Sequence, residues 1–282
     1  WVRQRRQGHW YSRYADLYSA IEVASGFIHA LEGALLEMSS LADGIQKYAT
    51  TWFRLDQLYR KFIFHARQSG QASLLSALNT QVENLYTNNF LLKLNNGWQT
   101  HVDSATDWDA TPIPTQRVFF DRYVRPFVGR KGKVCVLISD ALRFEIGEEL
   151  QGLMRQEDRF EAELEPALSM LPSYTQLGMA ALLPNKSLAL SENDTGLVVA
   201  DGQSTQGTSN RARILAAAVP ASTAIQAEEL MQLGRDEARA LVKDNDVIYV
   251  YHNLIDKIGD TRDTEERVFA AAADTVQEIV RI

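Results

Sequence analysis

The chain reads as an α/β protein in which a helical N-terminal region precedes a mainly parallel sheet with flanking helices. Three observations carry that reading. Apolar residues recur at seven-residue spacing from Leu17 onward. A short β-branched run, Val134 to Ile138, has no polar break and suits a parallel strand covered on both faces. Beyond residue 118 the pattern alternates between strands and helices. With 282 residues, 45% hydrophobic and 23% charged, the chain can bury one large or two ordinary cores. The expected division is 1–96 helical and coiled-coil-like, 97–117 a linker, and 118–282 the α/β core.

The first helical row is Leu17, Ala24, Leu31, Met38 and Ile45, and the second is Ile21, Ile28, Leu35 and Ala42. The pattern predicts one long helix with a narrow seam, with Gly26 and Gly33 off that seam. A second helix is expected from Thr51 to Gln68, burying Trp52, Leu55, Leu58 and Phe62, with a break at Ser69-Gly70. A third spans Ala72 to Leu94 with Leu74, Leu78, Val82 and Leu85 inward. Gly97 to Thr115 is polar and turn-rich, and Pro112 and Pro114 exclude regular structure there. Val118 to Val124 reads as a short helix stopped ahead of Pro126. The remaining strands are expected at Phe160–Glu165, Gly196–Ala200 and Val247–Tyr251. Helices are expected at Gln176–Leu183, Asn210–Ala218, Ala227–Lys243 and from Thr264 to the end.

Several function classes are narrowed by composition. No stretch of about 18 apolar residues occurs, so no membrane-spanning helix is expected. The single cysteine, Cys135, cannot form an internal disulfide and reads as a small buried apolar residue, which fits a reducing cytoplasm. A net charge of −7 argues against a protein basic all over. Two local clusters run the other way: Arg3, Arg5, Arg6 and Arg13, and then Arg117, Arg122, Arg125, Arg130, Lys131 and Lys133 against Asp121 alone. Either can meet phosphates or an acidic partner, or form a solvated face of ordinary ion pairs.

Candidate chemistry gathers just past the strands. Asp140 follows the first strand, where open α/β sheets place their ligands, although an Asp there is also a good helix cap. Leu142, Ile146 and Leu150 then share a helical face. Thr175 directly precedes an apolar helix, whose N-terminal field favours an alkoxide or bound phosphate; Ser173 and Thr175 are also ordinary caps. After the strand ending near His252, Asp256 and Asp260 stand four apart with Gly259 between, as cation ligands or as turn and cap residues.

Taken together, the segments LISDALRFE (Leu137–Glu145), LPSYTQLGMAALLP (Leu171–Pro184), VADGQSTQGTSNRARIL (Val199–Leu215) and YHNLIDKIGD (Tyr251–Asp260) resemble the PglZ domain of the alkaline phosphatase superfamily. That domain belongs to BREX-type bacterial phage-defence systems. The resemblance covers roughly Val118 to the end, and the preceding helices more loosely. It implies an alkaline-phosphatase-like core truncated at the C-terminus. It further implies Asp140 as a metal ligand at the nucleophile site, Thr175 as the hydroxyl nucleophile that also touches a metal, and Asp256 and Asp260 as ligands of the other metal. Asp260 stands where many relatives carry histidine, which leaves zinc, manganese and magnesium all open. The superfamily's later Asp-His pair and further histidine would lie beyond residue 282, so the excerpt alone is expected to be inactive or nearly so. Arg143 and Arg211 are candidates for clamping a phosphoryl oxygen, or for structural ion pairs.

The expectation is therefore a metal-dependent phosphoester hydrolase, a phosphodiesterase or nuclease, using two divalent metal ions in a phage-defence system. Its partners would be other defence proteins and DNA or another nucleic-acid phosphodiester. The competing expectation is a non-catalytic scaffold in a multiprotein defence complex. A phosphomutase or sulfatase on the same fold would need substrate contacts that the sequence does not reveal.

Overall fold

A computed structural model describes residues 2–191 and 196–282, leaving out the side chain of Arg3. Arg3, counted in the first basic cluster, thus lies outside the described side chains. Two compact units share the chain without following one another in sequence: Trp1–Asp107, Arg143–Pro166 and Thr261–Val280 form one, and Trp108–Leu142, Ala167–Asp260 and Arg281–Ile282 the other.

The first unit is helical. Ala20, Ala24 and Phe27 lie fully buried on the helix Ala15–Glu32, at the spacing that stacks one face. They pack with Trp52, Leu55 and Phe62 of the segment leading into and through the helix Phe53–Gln68. The expected four-heptad helix is broken. It stops at Gly33, and a new helix, Leu41–Lys47, starts from Ser40, whose hydroxyl accepts from the Asp43 amide at 3.1 Å. A favourable cap competes with continuing the heptads, and Leu35, assigned to the seam, is 81% exposed. The third expected helix is longer than its pattern, running as Ala72–Asn84, a π-helical turn Leu85–Leu91, and Leu92–Ser104, so Gly97–Ser104 is helical and not linker. Its inward face holds at Val82, which is buried, and at Leu78 and Leu85, which pack against the core, but at the start Leu75 is buried where Leu74 was expected, and Leu74 is exposed.

In the second unit, a three-stranded parallel sheet has β1 (Val134–Ser139), β5 (Ser222–Gln226) and β6 (Val247–His252) in the order β1-β6-β5. The central β6 is buried along its whole length, whereas β1 is an edge strand and leaves Cys135 exposed. The expected burial of Cys135 fails because edge position halves the cover a strand receives. A small antiparallel sheet comprises β2 (Leu188–Leu190), β3 (Val198–Ala200) and β4 (Gln203–Ser204). Phe160–Glu165 is irregular, not a strand, and its alternating pattern finds no pairing partner. The expected helix Ala227–Lys243 is two, Ala227–Gln232 and Arg235–Asp244, divided at Gly234. Pro126 does not stop a helix but sits in the first turn of Arg125–Gly129, where its missing N–H costs nothing. Helix Phe144–Met154 begins too late to include Leu142.

Within the first unit, the helix Phe144–Met154 is held by a buried ion pair. Arg60 donates through Nε to both Glu145 oxygens at 3.0 Å and through Nη2 to Oε2 at 2.8 Å, and also reaches Glu149 at 2.6 Å. Glu145 is fully buried and Arg60 nearly so. Burial pushes the Glu145 carboxyl up, and the two-toothed contact with Arg60 works against that rise. Removing one partner strands the other charge in the interior. Arg60→Met should therefore cost about 3–5 kcal/mol in urea denaturation, while Arg60→Met with Glu145→Leu and Glu149→Gln should recover much of that loss. A single variant as stable as the wild type would show that the pair carries no weight.

Candidate active site at the carboxyl edge of the sheet

Parallel pairing sets the frame of the site. Ser139 at the end of β1 pairs with His252 at the end of β6, and the ladder continues one step as the Asp140 amide donates to the His252 carbonyl at 2.9 Å. Asp140 thus leaves the sheet at its carboxyl edge, next to the start of the short helix Leu254–Gly259, which carries Asp256 in its first turn and is capped by Asp260. Asp140 is not a helix cap. Its Oδ1 accepts from the Ala141 amide at 3.0 Å, and the following helix starts four residues on, at Phe144. Ala141 takes φ +59°, a left-handed conformation that costs a non-glycine residue about 1 kcal/mol or more.

Charge is concentrated around Asp140. Burial raises its pKa first, and the negative charge of Asp256 next; Asp260 adds to the rise, while the Ala141 amide and the Arg211 guanidinium oppose it. Arg211 is itself buried, its Nε donating to the Thr205 carbonyl at 2.9 Å and its guanidinium lying 4.6 Å from the centre of the Tyr251 ring. Burial pushes the Tyr251 phenol up to about 12, against the pull of Arg211. His252 is buried behind this edge with Nδ1 3.1 Å from the Ser139 hydroxyl.

Thr175 reaches the same place from another segment. It is the first residue of the helix Thr175–Ala181, after a Tyr174 cap position that makes no side-chain cap bond. Its side chain is exposed and makes no hydrogen bond among the described residues. Asp140 and Thr175 line one cavity of about 380 Å³, together with Ser139, Ala141, Ser173, Tyr174 and Gln116. Tyr174 forms a fixed wall through its hydroxyl, which donates to the Gly196 carbonyl at 3.0 Å. Gln116 is held by its amide to the Leu168 carbonyl at 2.9 Å and by its side-chain oxygen, which accepts from the Met170 amide at 3.3 Å. Gln116 lies outside every quoted motif, and Tyr174, although inside LPSYTQLGMAALLP, carries no chemical signal of its own in the sequence.

Of the six expected site residues, five belong to the second unit: Asp140 and Thr175 share the cavity, and Asp256, Asp260 and Arg211 act on Asp140 through their charge. Arg143 belongs to the first unit, where its Nη2 lies 3.1 Å from the buried carboxylate of Asp56. Asp56 also accepts from the Tyr48 and Tyr86 hydroxyls, each at 2.5 Å. Burial raises both phenols well above their usual range, with the Asp56 charge adding to it. This network joins residues far apart in sequence, and no local pattern announces it.

Hard oxygen donors whose repulsion is already felt at Asp140 suit a divalent cation, which would relieve that repulsion. The donor set is partial: among the described residues, no three of His, Cys, Asp and Glu gather closely enough to hold a metal ion by themselves. Among the same residues no helix is long and apolar enough to cross a membrane.

Residues 119–282 match the family described as the BREX system PglZ alkaline phosphatase-like domain. The chain is 37% identical over 294 aligned residues to the alkaline phosphatase-like protein BrxZ of Escherichia coli O9:H4 (strain HS), an alignment covering 99% of this chain and 33% of that protein. It is 34% identical over 284 to the alkaline phosphatase-like protein PglZ of Bacillus cereus (strain H3081.97), again with 99% of this chain and 33% of the relative. The chain thus spans about a third of the length of the curated relatives it matches. With its parallel sheet, its flanking helices and this match over more than half its length, the chain belongs to the PglZ family of BREX systems, whose domain is alkaline phosphatase-like.

Proposed function

We propose that this chain supplies the nucleophile side of a metal-dependent phosphoester hydrolase, a phosphodiesterase or nuclease, acting in a BREX-type defence system alongside other proteins of that system. One observation carries the reading: Asp140 and Thr175, from different segments, line one cavity at the edge where Asp256 and Asp260 add their charge. Asp140, Thr175, Asp256 and Asp260 would hold divalent metal ions, zinc, manganese or magnesium. Bound cations would polarise the phosphoryl oxygens and favour the ionised hydroxyl.

The chain's own residues supply the rest. Thr175 Oγ1, unengaged and facing the cavity, attacks phosphorus as the ester P–O bond breaks; its proton passes through solvent to the departing alkoxide, which leaves as the alcohol. Water then cleaves the threonine phosphoester and restores the hydroxyl. Asp140, held by its bond from Ala141, orients the donor oxygens. Arg211, fixed by Thr205 and Tyr251, sets a positive charge beside the carboxylates and is the candidate partner of a non-bridging oxygen. Arg143, paired with Asp56, fits a structural role better.

A second reading, a non-catalytic scaffold, rests on the partial donor set among the described residues. The two separate in one experiment. Full-length protein with Mn²⁺, Zn²⁺ or Mg²⁺ should hydrolyse a phosphodiester, and Thr175→Ala and Asp140→Asn should each lower kcat/KM by on the order of 10³-fold. Unchanged activity in both variants rejects the site, and no activity under any metal favours the scaffold.

Linkage gives a further test. In the folded chain Asp140 keeps its proton to a higher pH than in the unfolded one, so the folded form binds more protons between the ordinary and the raised pKa. Stability present below the ordinary value therefore falls as pH rises through that window. In EDTA, Asp140→Asn should melt with the wild type at acid pH and above it at pH 7, and Mn²⁺ should raise the Tm of the wild type alone. A variant that melts lower at pH 7, or gains equally from Mn²⁺, contradicts the assignment.

A further inference from the structure

The second basic cluster of the sequence is not absorbed by the site. Residues 116–131 run as a short 3-10 turn Gln116–Val118, a π-helical turn Phe120–Val124, the helix Arg125–Gly129 and a turn before β1. At one end, Gln116 lines the cavity that holds Asp140 and Thr175. At the other, the chain enters β1 at Val134, the strand end opposite Asp140. The segment therefore travels from the cavity mouth to the far edge of the sheet, about 20 Å at helical rise.

Five cations lie along it, Arg117, Arg122, Arg125, Arg130 and Lys131, and all five are exposed. Val124 and Phe120 supply the buried side of this helical stretch, so the charges occupy its outer side. Arg125 lies 5.3 Å from the Phe120 ring centre and Arg122 5.4 Å from that of Tyr123, contacts that hold the guanidinium groups extended over aromatic faces. Arg117 is tethered to the Lys186 carbonyl at 2.7 Å, which brings a further lysine beside the track. Among the described residues, Asp121 pairs with Arg125 at 2.7 Å, and Asp201 is occupied by the Lys186 and Ser187 amides. Positive charge of this length on a chain of net charge −7 is a local feature, not a consequence of overall composition.

We propose that this track is a docking surface for the phosphate backbone of double-stranded DNA, leading the duplex to the Asp140–Thr175 cavity. At about 3.4 Å per phosphate along one strand, 20 Å matches roughly six phosphates. Exposed cations spaced along this segment of short helical turns fit phosphate contact, which positions a duplex without reading its bases. The directional part of the proposal rests on the hydrolase reading; the binding part does not, because it needs neither metal nor turnover.

The test is anisotropy of a labelled duplex of about 30 base pairs and arbitrary sequence with full-length protein in EDTA across a salt series. Two variants are compared with wild type: Arg125→Gln/Arg130→Gln/Lys131→Asn, in which Asn tolerates the φ of +57° at that position, and Arg122→Gln/Arg125→Gln. The triple variant should weaken binding by about tenfold or more and lower the slope of log K against log salt by about 2–3, and the double variant should lower it by about 2. Loss should be equal for unrelated duplex sequences. An unchanged slope in both variants, no duplex binding by the wild type, or capture of anionic phospholipid vesicles in preference to DNA overturns the proposal. Because no cleavage occurs in EDTA, these outcomes stand apart from the fate of the hydrolase reading.

Discussion

The site depends on one register. Pairing of Ser139 with His252 makes β1 and β6 end together, and the bond from the Asp140 amide to the His252 carbonyl fixes where the chain turns away. Side chains alternate along a strand, so a slip of one residue would turn every β1 side chain to the opposite face and move the turn with it. β6 is suited to hold that register because all six of its residues are buried, and Tyr249 adds a bond from its hydroxyl to the Leu182 carbonyl at 2.8 Å. Parallel pairing then does what antiparallel pairing cannot: it puts two successive strand exits, and the acids that follow them, on the same side.

Placing like charges on one edge has a cost, visible in the raised pKa of Asp140, and a left-handed Ala141 adds strain at the same point. A fold selected for stability alone would relieve both with an amide and a glycine. Their presence beside an unengaged hydroxyl and a buried arginine is what a cation and a phosphoryl group would explain together. In the first unit, by contrast, charges are paired out: Arg60 with Glu145 and Glu149, and Arg143 with Asp56. Under the proposed function, that difference would separate structural from functional charge in one chain.

Legibility in the sequence followed the physics of each element. VIYVYH reads as a strand because its whole run is buried, and the run from Val134 reads likewise although its edge position leaves Cys135 open. STAIQ at Ser222–Gln226 is a strand that apolar content alone does not reveal, since it borrows its stability from β6. FEAELE has strand-like alternation and no partner, so it stays irregular. The heptads around Gly33 were misleading because a local cap at Ser40 outweighs a seam with nothing to pack against at Leu35. At the site, Asp140, Thr175 and the two later acids stand out by their place after strands and before helices. The wall Gln116 and the Asp56 anchor of Arg143 come from long-range packing that spacing does not encode, whereas Tyr174 follows Thr175 into the cavity as its chain neighbour.

Crystals of the full-length protein soaked with Zn²⁺ and measured at the zinc absorption edge would test the central claim most directly. An anomalous peak is expected about 2.0–2.2 Å from an Asp140 carboxylate oxygen, with Thr175 or Asp256 among the other ligands. Zinc bound only elsewhere, with Asp140 and Asp256 turned to separate surroundings, would contradict it.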